Sequence, residues 1–358
     1  MMKEYRFDQI AIVSTEKKKP TEEDKANYVG LEHLSPDTFD VTEYGSEVAP
    51  KGEKLVMRKG DVLFGKRRAY QKKVGIAPCD GIFSAHGMVL RPNEDVVDSR
   101  FFPFFIKSDC FLDEAIRISV GSLSPTVNWR DLRELRFRLP SLERQRELAE
   151  LLWAGEGLKS TYRQLLFACD EQVKSRFVEM FGDLREDSSG FPRVRLDEIA
   201  STRLGKMLDA KKQTGRHLHP YLGNHNVQWF SFDFSELAQM DFDEADQVEF
   251  GLRYGDLLMC EGGEVGRCAI WRNELDDCFF QKAIHRIRCD KEIVLPEYLA
   301  WHFKLAADYG LLVRHTNTAT IAHLSGIKLK ALKIPVPPID LQEQFVGFVS
   351  QVDKSEYL

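Results

Sequence analysis

The stretch that decides the fold is LPSLERQ at residues 139–145, which returns as VPPIDLQ at residues 336–342. In each copy proline marks a turn. A residue suited to capping a helix follows it, Ser141 in the first copy and Asp340 in the second. Each stretch therefore predicts the same junction, at which a folded module ends and a helix begins. A junction that occurs twice, 197 residues apart, indicates a duplicated chain.

Five further matches precede this junction in the same order in both halves. Their separations lie between 189 and 197 residues, and their shared order is the evidence for a repeat. The pairs are FDQI (7–10) and LDEI (196–199), YVG (28–30) and YLG (221–223), GDVL (60–63) and GDLL (255–258), VG (74–75) and VG (265–266), and FSAHGMVLR (83–91) and FQKAIHRIR (280–288).

Each module mixes strands with helices. Short β-branched and aromatic runs lie between Gly, Asp and Pro, as at 61–64 and 256–260. Helical stretches near 99–118 and 296–313 follow these strands. The sequence predicts an α+β fold with two similar recognition domains, at residues 1–140 and 183–339, related by an approximate two-fold axis.

A long helix is predicted between the domains, over residues 141–182. No proline occurs from 141 to 181, and apolar residues recur in steps of three and four, which is typical of a coiled-coil seam. Forty residues would span about 60 Å at 1.5 Å per residue, longer than a domain core needs. We interpret this helix as a spacer.

A second helix is predicted over residues 340–358, where Asp340 and Glu343 form a capping box. Its apolar side would pack antiparallel against the central helix. The residues expected to pair the helices or to bind partner subunits are Leu148, Leu151, Leu158, Tyr162, Leu165, Leu341, Phe345 and Phe348.

Charge is segregated along the chain. The formal net charge is −6, yet residues 51–73 hold nine basic and two acidic side chains, and residues 201–219 hold five and one. Residues 233–264 are acidic. A basic face with acidic surfaces elsewhere fits a protein that meets phosphate on one side, although basic runs are often only solvated faces.

The DNA-binding candidates are basic or small polar side chains in loops, because Arg and Lys donate to guanine or phosphate and amides pair with adenine. Loops rich in Ser, Thr and Gly are also often simple turns. The first domain contributes Lys17, Lys18, Lys19, Lys66, Arg67, Arg68, Tyr70, Ser122, Ser124, Thr126 and Asn128. The second contributes Arg203, Lys206, Lys211, Lys212, His315, Asn317, Thr318 and Thr320.

The acidic residues Glu261 and Glu264 lie in the loop that matches the first basic loop. Either they accept from a cytosine amino group, or this loop faces away from DNA. Tyr70, Trp229 and Trp301 more often serve as core residues than as base-stacking residues.

No catalytic pattern emerges. The stretch PVPP at 335–338 lacks the amide and aromatic of a DNA-adenine methyltransferase, and GGEVG at 262–266 lacks the Lys and Ser/Thr of a P-loop. Cys260, Cys268, Cys278 and Cys289 are not spaced as zinc ligands, and His285 is expected to be structural.

The seven cysteines without CxxC spacing favour free thiols. Without a signal peptide or a run of 18 apolar residues, we expect a cytoplasmic protein with no membrane span.

The arrangement resembles the specificity subunit of type I restriction-modification systems. The resemblance covers essentially the whole chain and is carried by the junctions at 139–145 and 334–344, the strands at 60–63 and 255–258, and the loops at 66–70 and 261–266. It implies that each domain reads half of a split DNA target while two helices in an antiparallel coiled coil set the gap.

The resemblance also implies partners: double-stranded DNA, two methyltransferase subunits and, in the full complex, restriction subunits. S-adenosylmethionine, ATP and Mg²⁺ would belong to those partners, and this chain would hold no cofactor and no catalytic site. The alternatives are a two-module enzyme and a coiled-coil scaffold that does not bind DNA.

One departure from the family is the length of the final helix, which has fewer than 20 residues before Leu358. The alternatives are an incomplete helical pair, a truncated chain, or a second copy that supplies the missing part.

Overall fold

The computed structural model describes residues 2–186, 190–209, 213–312 and 323–355, with no side chains described for 353–355. The chain divides into two compact units, residues 1–163 and 164–358. Each is described by itself below.

The first unit is an α+β fold with two four-stranded sheets and one two-stranded sheet. Its strands are β1 (Lys3–Arg6), β2 (Ala11–Val13), β3 (Lys17–Lys18), β4 (Tyr28–Val29), β5 (Lys54–Met57), β6 (Val62–Phe64), β7 (Val74–Ile76), β8 (Gly81–Phe83), β9 (Met88–Pro92) and β10 (Arg136–Leu139). Its helices are α1 (Phe7–Ile10), α2 (Phe102–Lys107), α3 (Asp109–Arg117) and α4 (Trp129–Leu132), with 3₁₀ turns at Glu22–Lys25, Leu31–His33 and Ala69–Gln71.

One sheet has the order β2-β9-β6-β7, and the other has the order β3-β5-β8-β4, in which β4 and β8 are parallel. Strands β1 and β10 pair antiparallel, with Lys3 opposite Leu139. This pair brings the start of the domain to the Pro140 junction. The three residues of β6 are all buried, so this strand lies in the core.

The second unit repeats this plan. Its strands are β11 (Arg193–Arg195), β12 (Ala200–Leu204), β13 (Leu218–Leu222), β14 (Ala238–Asp241), β15 (Leu257–Cys260), β16 (Cys268–Ile270), β17 (Phe279–Phe280), β18 (Ile284–Cys289) and β19 (Lys333–Pro335). Its helices are α6 (Leu196–Ile199), α7 (Glu244–Phe250), α8 (Pro296–Asp308), α9 (Gly326–Lys330) and α10 (Ile339–Ser355).

One sheet matches strand for strand, whereas the second sheet has the order β3-β5-β8-β4 in the first unit and β14-β13-β17 in the second. The order β12-β18-β15-β16 reproduces β2-β9-β6-β7, and β11 pairs with β19 as β1 pairs with β10. The parallel pair recurs as well, with Tyr28 opposite Ile82 in the first unit and Tyr221 opposite Phe279 in the second. The predicted duplication and the α+β class are confirmed.

The repeated Gly-Asp motif explains one turn in both units. Gly60 and Gly255 have the same φ of 91°, a left-handed conformation that glycine adopts without strain. The following aspartate closes the turn, because Asp61 accepts from the Arg58 amide at 2.8 Å and Asp256 from the Arg253 amide at 2.8 Å. The turn then leads into the buried strands β6 and β15.

The long helix α5 (Leu142–Phe181) is continuous over 40 residues, as predicted. Near its start Trp153 packs against Phe39 and Phe104 of the first unit. Near its end Val173, Phe177 and Phe181 belong to the core of the second unit. Residues 161–168 between these ends are exposed throughout. The domain boundaries at 140, 182 and 339 stay a prediction.

Helix α10 packs antiparallel on the last turns of α5. Phe345 is buried against Phe177 and Phe181, at centroid distances of 5.4 Å each. Further along α10, Val349 and Val352 line one cavity with Val173 and Cys169, which lie earlier in α5. The two helices therefore run in opposite directions. Leu341 and Phe348 pack against the same core. The packing predicted for Leu341, Phe345 and Phe348 therefore agrees with the structure.

The first part of the α5 seam was predicted to pair with the C-terminal helix. This prediction is wrong for the described part of α10. Leu148 is only partly buried, and four other seam residues are exposed. Their exposed fractions are 68% for Leu151, 61% for Leu158, 47% for Tyr162 and 46% for Leu165. The reason is length, because the 17 residues of α10 span about 26 Å and α5 about 60 Å. A role of these residues in binding partners stays a prediction.

Candidate nucleic-acid interface

Two loops of the first unit that the sequence analysis selected separately lie side by side. One is Lys66–Tyr70, after β6, and the other is Gly121–Asn128, before α4. The Val127 amide donates to the Lys66 carbonyl at 3.0 Å, and the Arg68 amide donates to the Pro125 carbonyl at 2.7 Å. Because these two bonds hold the loops together at two points, the side chains of both loops form one surface. We call this surface the basic loop pair.

The side chains of the basic loop pair also meet. Arg67 Nη2 and Arg68 Nε both lie 3.3 Å from the Ser124 hydroxyl oxygen, and Arg67 Nη1 lies 3.4 Å from His86 Nε2. Arg68 has a φ of 56°, in the left-handed region. A non-glycine residue there costs about 1 kcal/mol or more, and such strain is concentrated at functional sites.

Cations cluster around this surface. Burial lowers the pKa of Lys66, and the charge of Lys17 lowers it further. The pKa of His86 is also lowered, first by burial and then by Arg67, Lys66 and Lys54. These shifts show positive groups close enough to repel one another, so the surface favours an anion.

The remaining candidates of the first unit divide by exposure. Lys17, Lys19, Ser122 and Asn128 are exposed. Lys18 forms an ion pair with Asp24 at 2.8 Å, which reduces its freedom to contact phosphate. Thr126 donates its hydroxyl to the Ser124 carbonyl at 3.2 Å, which stiffens the loop.

Two apolar side chains project from the basic loop pair. Tyr70 is 53% exposed, so the core role considered for it is wrong. Leu123 is 90% exposed at the tip of the Gly121–Pro125 loop, and the sequence analysis missed it. Leu123 could have been identified from the sequence, because it is an apolar residue inside a loop of Ser and Gly.

The second unit has the same loop geometry with different side chains. The Cys260 amide donates to the Arg267 carbonyl at 2.8 Å, as Gly65 does to Lys73 at 2.9 Å. The Leu324 amide donates to the Glu261 carbonyl at 2.8 Å, as Val127 does to Lys66. Glu261 therefore stands where the first unit has Lys66.

The two basic candidates described in the second unit have acidic partners. Arg203 is ion-paired with Glu249 and lies 5.5 Å from the Phe250 ring. Lys206 bonds Asp246 and the Asp241 carbonyl, and its side chain is only 20% exposed. These contacts place Lys206 in a structural role rather than on a free DNA surface. The acidic partners of Arg203 and Lys206 lie much later in the sequence, in the segment that contains Asp246 and Glu249.

The other candidates of the second unit are outside the described residues. They are Lys211, Lys212, His315, Asn317, Thr318 and Thr320.

Glu264 is held inside its own unit. Trp229 Nε1 donates to one carboxylate oxygen at 2.5 Å, and Arg267 Nη1 lies 3.2 Å from the other. Trp301 is 6% exposed, as expected of a core residue. Glu264 is thus bonded within its own unit although its side chain is 53% exposed, and the choice between a cytosine contact and a loop that faces away from DNA stays a prediction.

Several polar residues near these loops were missed by the sequence analysis. In the first unit His86 lies beside Arg67, and Lys54 is close enough to His86 to lower its pKa. In the second unit Asn224 donates to the Gly262 carbonyl at 3.1 Å, His323 forms a bridge with Gly262, and the exposed Lys282 precedes Ala283, which accepts from the Glu261 amide. The signal was the repeat itself, since His86 lies in the motif that matches residues 280–288.

In the part of the chain that the structure describes, no group of three or more His, Cys, Asp or Glu is placed to hold a metal ion. The seven cysteines are free. His285 is buried with Nε2 3.1 Å from the Leu324 carbonyl oxygen, in agreement with a structural role. None of the described helices is long and apolar enough to cross a bilayer.

Two copies of one α+β fold, in which the same backbone bonds recur at Lys66 and Glu261, define a chain of two tandem recognition domains. The family model for the type I restriction modification DNA specificity domain matches twice, over residues 2–154 and 189–357. The chain belongs to this family.

Relatives and a solved structure agree with this assignment. The type I restriction enzyme EcoDI specificity subunit of Escherichia coli is 27% identical over 145 residues, 40% of this chain and 32% of that protein. The putative MjaX specificity subunit of Methanocaldococcus jannaschii is 24% identical over 189 residues, 49% of this chain and 44% of that protein. The matches thus span less than half of these relatives. The type I restriction-modification S subunit from M. genitalium shares the fold, with a TM-score of 0.56 and 14% identity over 99% of this chain and 90% of that one.

Proposed function

We propose that this chain is the sequence-specificity subunit of a type I restriction-modification complex and that each unit reads half of a split target in double-stranded DNA. The observation that carries the proposal is the basic loop pair. Lys66, Arg67 and Arg68 are held against a Ser/Thr loop, so donors for bases and phosphates lie on one stiff surface.

We propose further that the chain is not catalytic. Its methyltransferase and restriction activities, with S-adenosylmethionine, ATP and Mg²⁺, would reside in partner subunits, in the cytoplasm. The membership of the specificity family supports this proposal.

The middle of α5 is the proposed docking surface for two methyltransferase subunits. Around the exposed stretch 161–168, large apolar side chains face solvent, including Leu166 at 45% and Phe167 at 67% exposure. Leu151, Leu158, Tyr162 and Leu165 continue this surface. Large apolar side chains exposed along one stretch of a helix are typical of a protein interface.

The charge reversal K66E/R67E/R68E tests DNA recognition. The subunit is co-expressed with its methyltransferase subunits, and methylated adenines are mapped by sequencing. We expect one half-site to be lost or relaxed while the complex still co-purifies. The matched control is K51E/R58E/K59E, which reverses three exposed cations of the same unit and should leave the motif intact.

The same co-expression separates the proposal from the two alternatives. A specificity subunit should co-purify with two methyltransferase subunits and direct methylation to a split motif. An enzyme would act on a substrate alone, and a scaffold would bind partners without a DNA preference. Unchanged methylation in K66E/R67E/R68E would refute the role of the basic loop pair.

A further inference from the structure

The two units carry opposite chemistry at equivalent positions. Lys66 and Glu261 are equivalent by backbone bonds on both sides. Each carbonyl accepts from the amide two residues before a helix, from Val127 before α4 and from Leu324 before α9. The amide of each preceding residue, Gly65 or Cys260, donates to the carbonyl of Lys73 or Arg267. The next position is Arg67 in one unit and Gly262 in the other. Both Arg67 and Gly262 form an isolated bridge, to Thr126 and His323.

In the first unit this position can only donate. Lys and Arg have no acceptor, and Lys66 is surrounded by further cations, Lys17 among them. Donors match guanine O6 and N7 in the major groove.

In the second unit the same position accepts. Within the described residues, Glu261 makes no ion pair and no side-chain hydrogen bond, unlike Glu264 of the same loop, which Trp229 and Arg267 hold. Its neighbour His285 is buried, and burial lowers the pKa of that histidine, so His285 stays neutral at pH 7. Glu261 is therefore a partly exposed carboxylate that accepts no hydrogen bond from the residues that the structure describes.

The residues near Glu261 in the structure add one cation and two neutral polar groups. The exposed Lys282 precedes Ala283, whose carbonyl accepts from the Glu261 amide, so its charge can offset repulsion by phosphate. Asn224 and His323, which bracket Gly262, add amide and imidazole groups rather than guanidinium groups.

We propose that Glu261 is a specificity-determining residue that accepts a hydrogen bond from the exocyclic amino group of a cytosine, so that the second unit reads a donor where the first reads guanine acceptors. This inference rests on the proposed function. Physically, a carboxylate near the base edge rejects acceptor groups such as guanine O6 or thymine O4 and selects an amino group.

The test uses the complex with its methyltransferase subunits and a duplex that carries the mapped target. In the half read by the second unit, each cytosine is replaced in turn by 2-pyrimidinone, which lacks the amino group, and affinity is measured by competition. At one position we expect wild type to lose about tenfold or more in affinity. The variant Glu261→Gln, whose amide can still accept, should lose less, and Glu261→Leu should show no further loss from the analogue.

The comparison forms a cycle, so the weaker pairing of the analogue cancels between protein variants. Glu264→Gln is the matched control and should keep the full wild-type sensitivity, because its carboxylate is engaged within the protein. Equal sensitivity of wild type and Glu261→Leu at every position would overturn the inference.

The two proposals fail in different ways. If K66E/R67E/R68E relaxes one half-site while Glu261→Leu leaves the other unchanged, the chain reads DNA but Glu261 does not select the base. If wild type shows no split target at all, the proposed function itself is wrong, and with it this inference.

Discussion

At the residue scale, the repeat preserves a buried ion pair. Arg91 binds Asp61 through two bonds of 2.7 and 2.8 Å, and Arg288 binds Asp256 through two of 2.7 Å. The aspartates are 7% and 1% exposed. Each carboxylate also closes the Gly-Asp turn, so one side chain fixes both the turn and the neighbouring strand.

Asp256→Ala should destabilise the second unit by about 3 kcal/mol, because it leaves the Arg288 guanidinium and the Arg253 amide without their acceptor. The estimate is at the low end for buried pairs because the Arg288 side chain is 28% exposed. Urea unfolding measures the change. The control Asp276→Ala removes an exposed carboxylate of the same unit, and equal midpoints for both variants would contradict the prediction.

His302 predicts a pH dependence of stability. It is buried beside Tyr298 and Phe303, and burial lowers its pKa to about 3 from an ordinary 6.5. Below pH 6.5 the unfolded chain takes up a proton that the folded state excludes, so stability falls as pH falls.

Between pH 7.5 and 5.0 this residue should cost the second unit about 2 kcal/mol. Carboxylates add to the total, so the measurement is the difference between wild type and His302→Phe in urea unfolding at both pH values. The variant should lose about 2 kcal/mol less than wild type. His217→Phe, at an exposed position, should retain the wild-type loss. Parallel pH curves for His302→Phe and wild type would rule out this role.

At the scale of elements, a buried glutamine locks each helix to its domain. Gln145 accepts from the Asp98 amide at 2.8 Å and donates to the Val96 and Pro140 carbonyls. Gln342 repeats this with Leu295, Ile293 and Pro337. Both side chains are fully buried. The junction motif thus returns because the same three backbone groups must be paired at both helix starts.

Gln342→Ala should cost about 3 kcal/mol, since three buried backbone groups lose their partner. Gln145→Ala should have a similar effect on the first unit. The exposed Gln344, two residues along the same helix, supplies the control Gln344→Ala, with an expected effect below about 0.5 kcal/mol. Thermal unfolding distinguishes them, and a shift of Gln342→Ala as small as that of the control would contradict the locking role.

The sequence predicted elements well where the signal was local. Matched motifs revealed the duplicated sheets, and the proline-free run revealed α5. Periodicity could not reveal what covers each part of the seam, because Val173 and Leu158 look alike in sequence. One is buried in the second unit and the other is 61% exposed.

The candidate site was predicted less evenly. Lys66, Arg67 and Arg68 were found with the Ser124 loop they contact, because both loops are unusual in composition. Arg203 and Lys206 looked equally basic, but their carboxylate partners Glu249 and Asp246 reach them only through tertiary packing. Net charge over a short window cannot show such pairing.

At the scale of the whole molecule, α5 enters the cores of both units, and residues 161–168 within it are exposed. If this helix sets the gap between half-sites, an insertion there should change the gap without disturbing either core. Seven residues inserted between Gln164 and Leu165 add two turns and about 10 Å. The segment of α5 after the insertion turns by only about 20° relative to the segment before it. Each core therefore keeps the helix face that it packs against.

The gap in the methylated motif should therefore grow by about three base pairs, at 3.4 Å each, while both half-sites keep their sequences. The measurement is the map of methylated adenines for the complex that carries the insertion. The control inserts seven residues after Gly52, in an exposed turn of the first unit, and should leave the gap unchanged. A complex that still methylates the original spacing with the insertion in α5 would show that something other than this helix measures the distance.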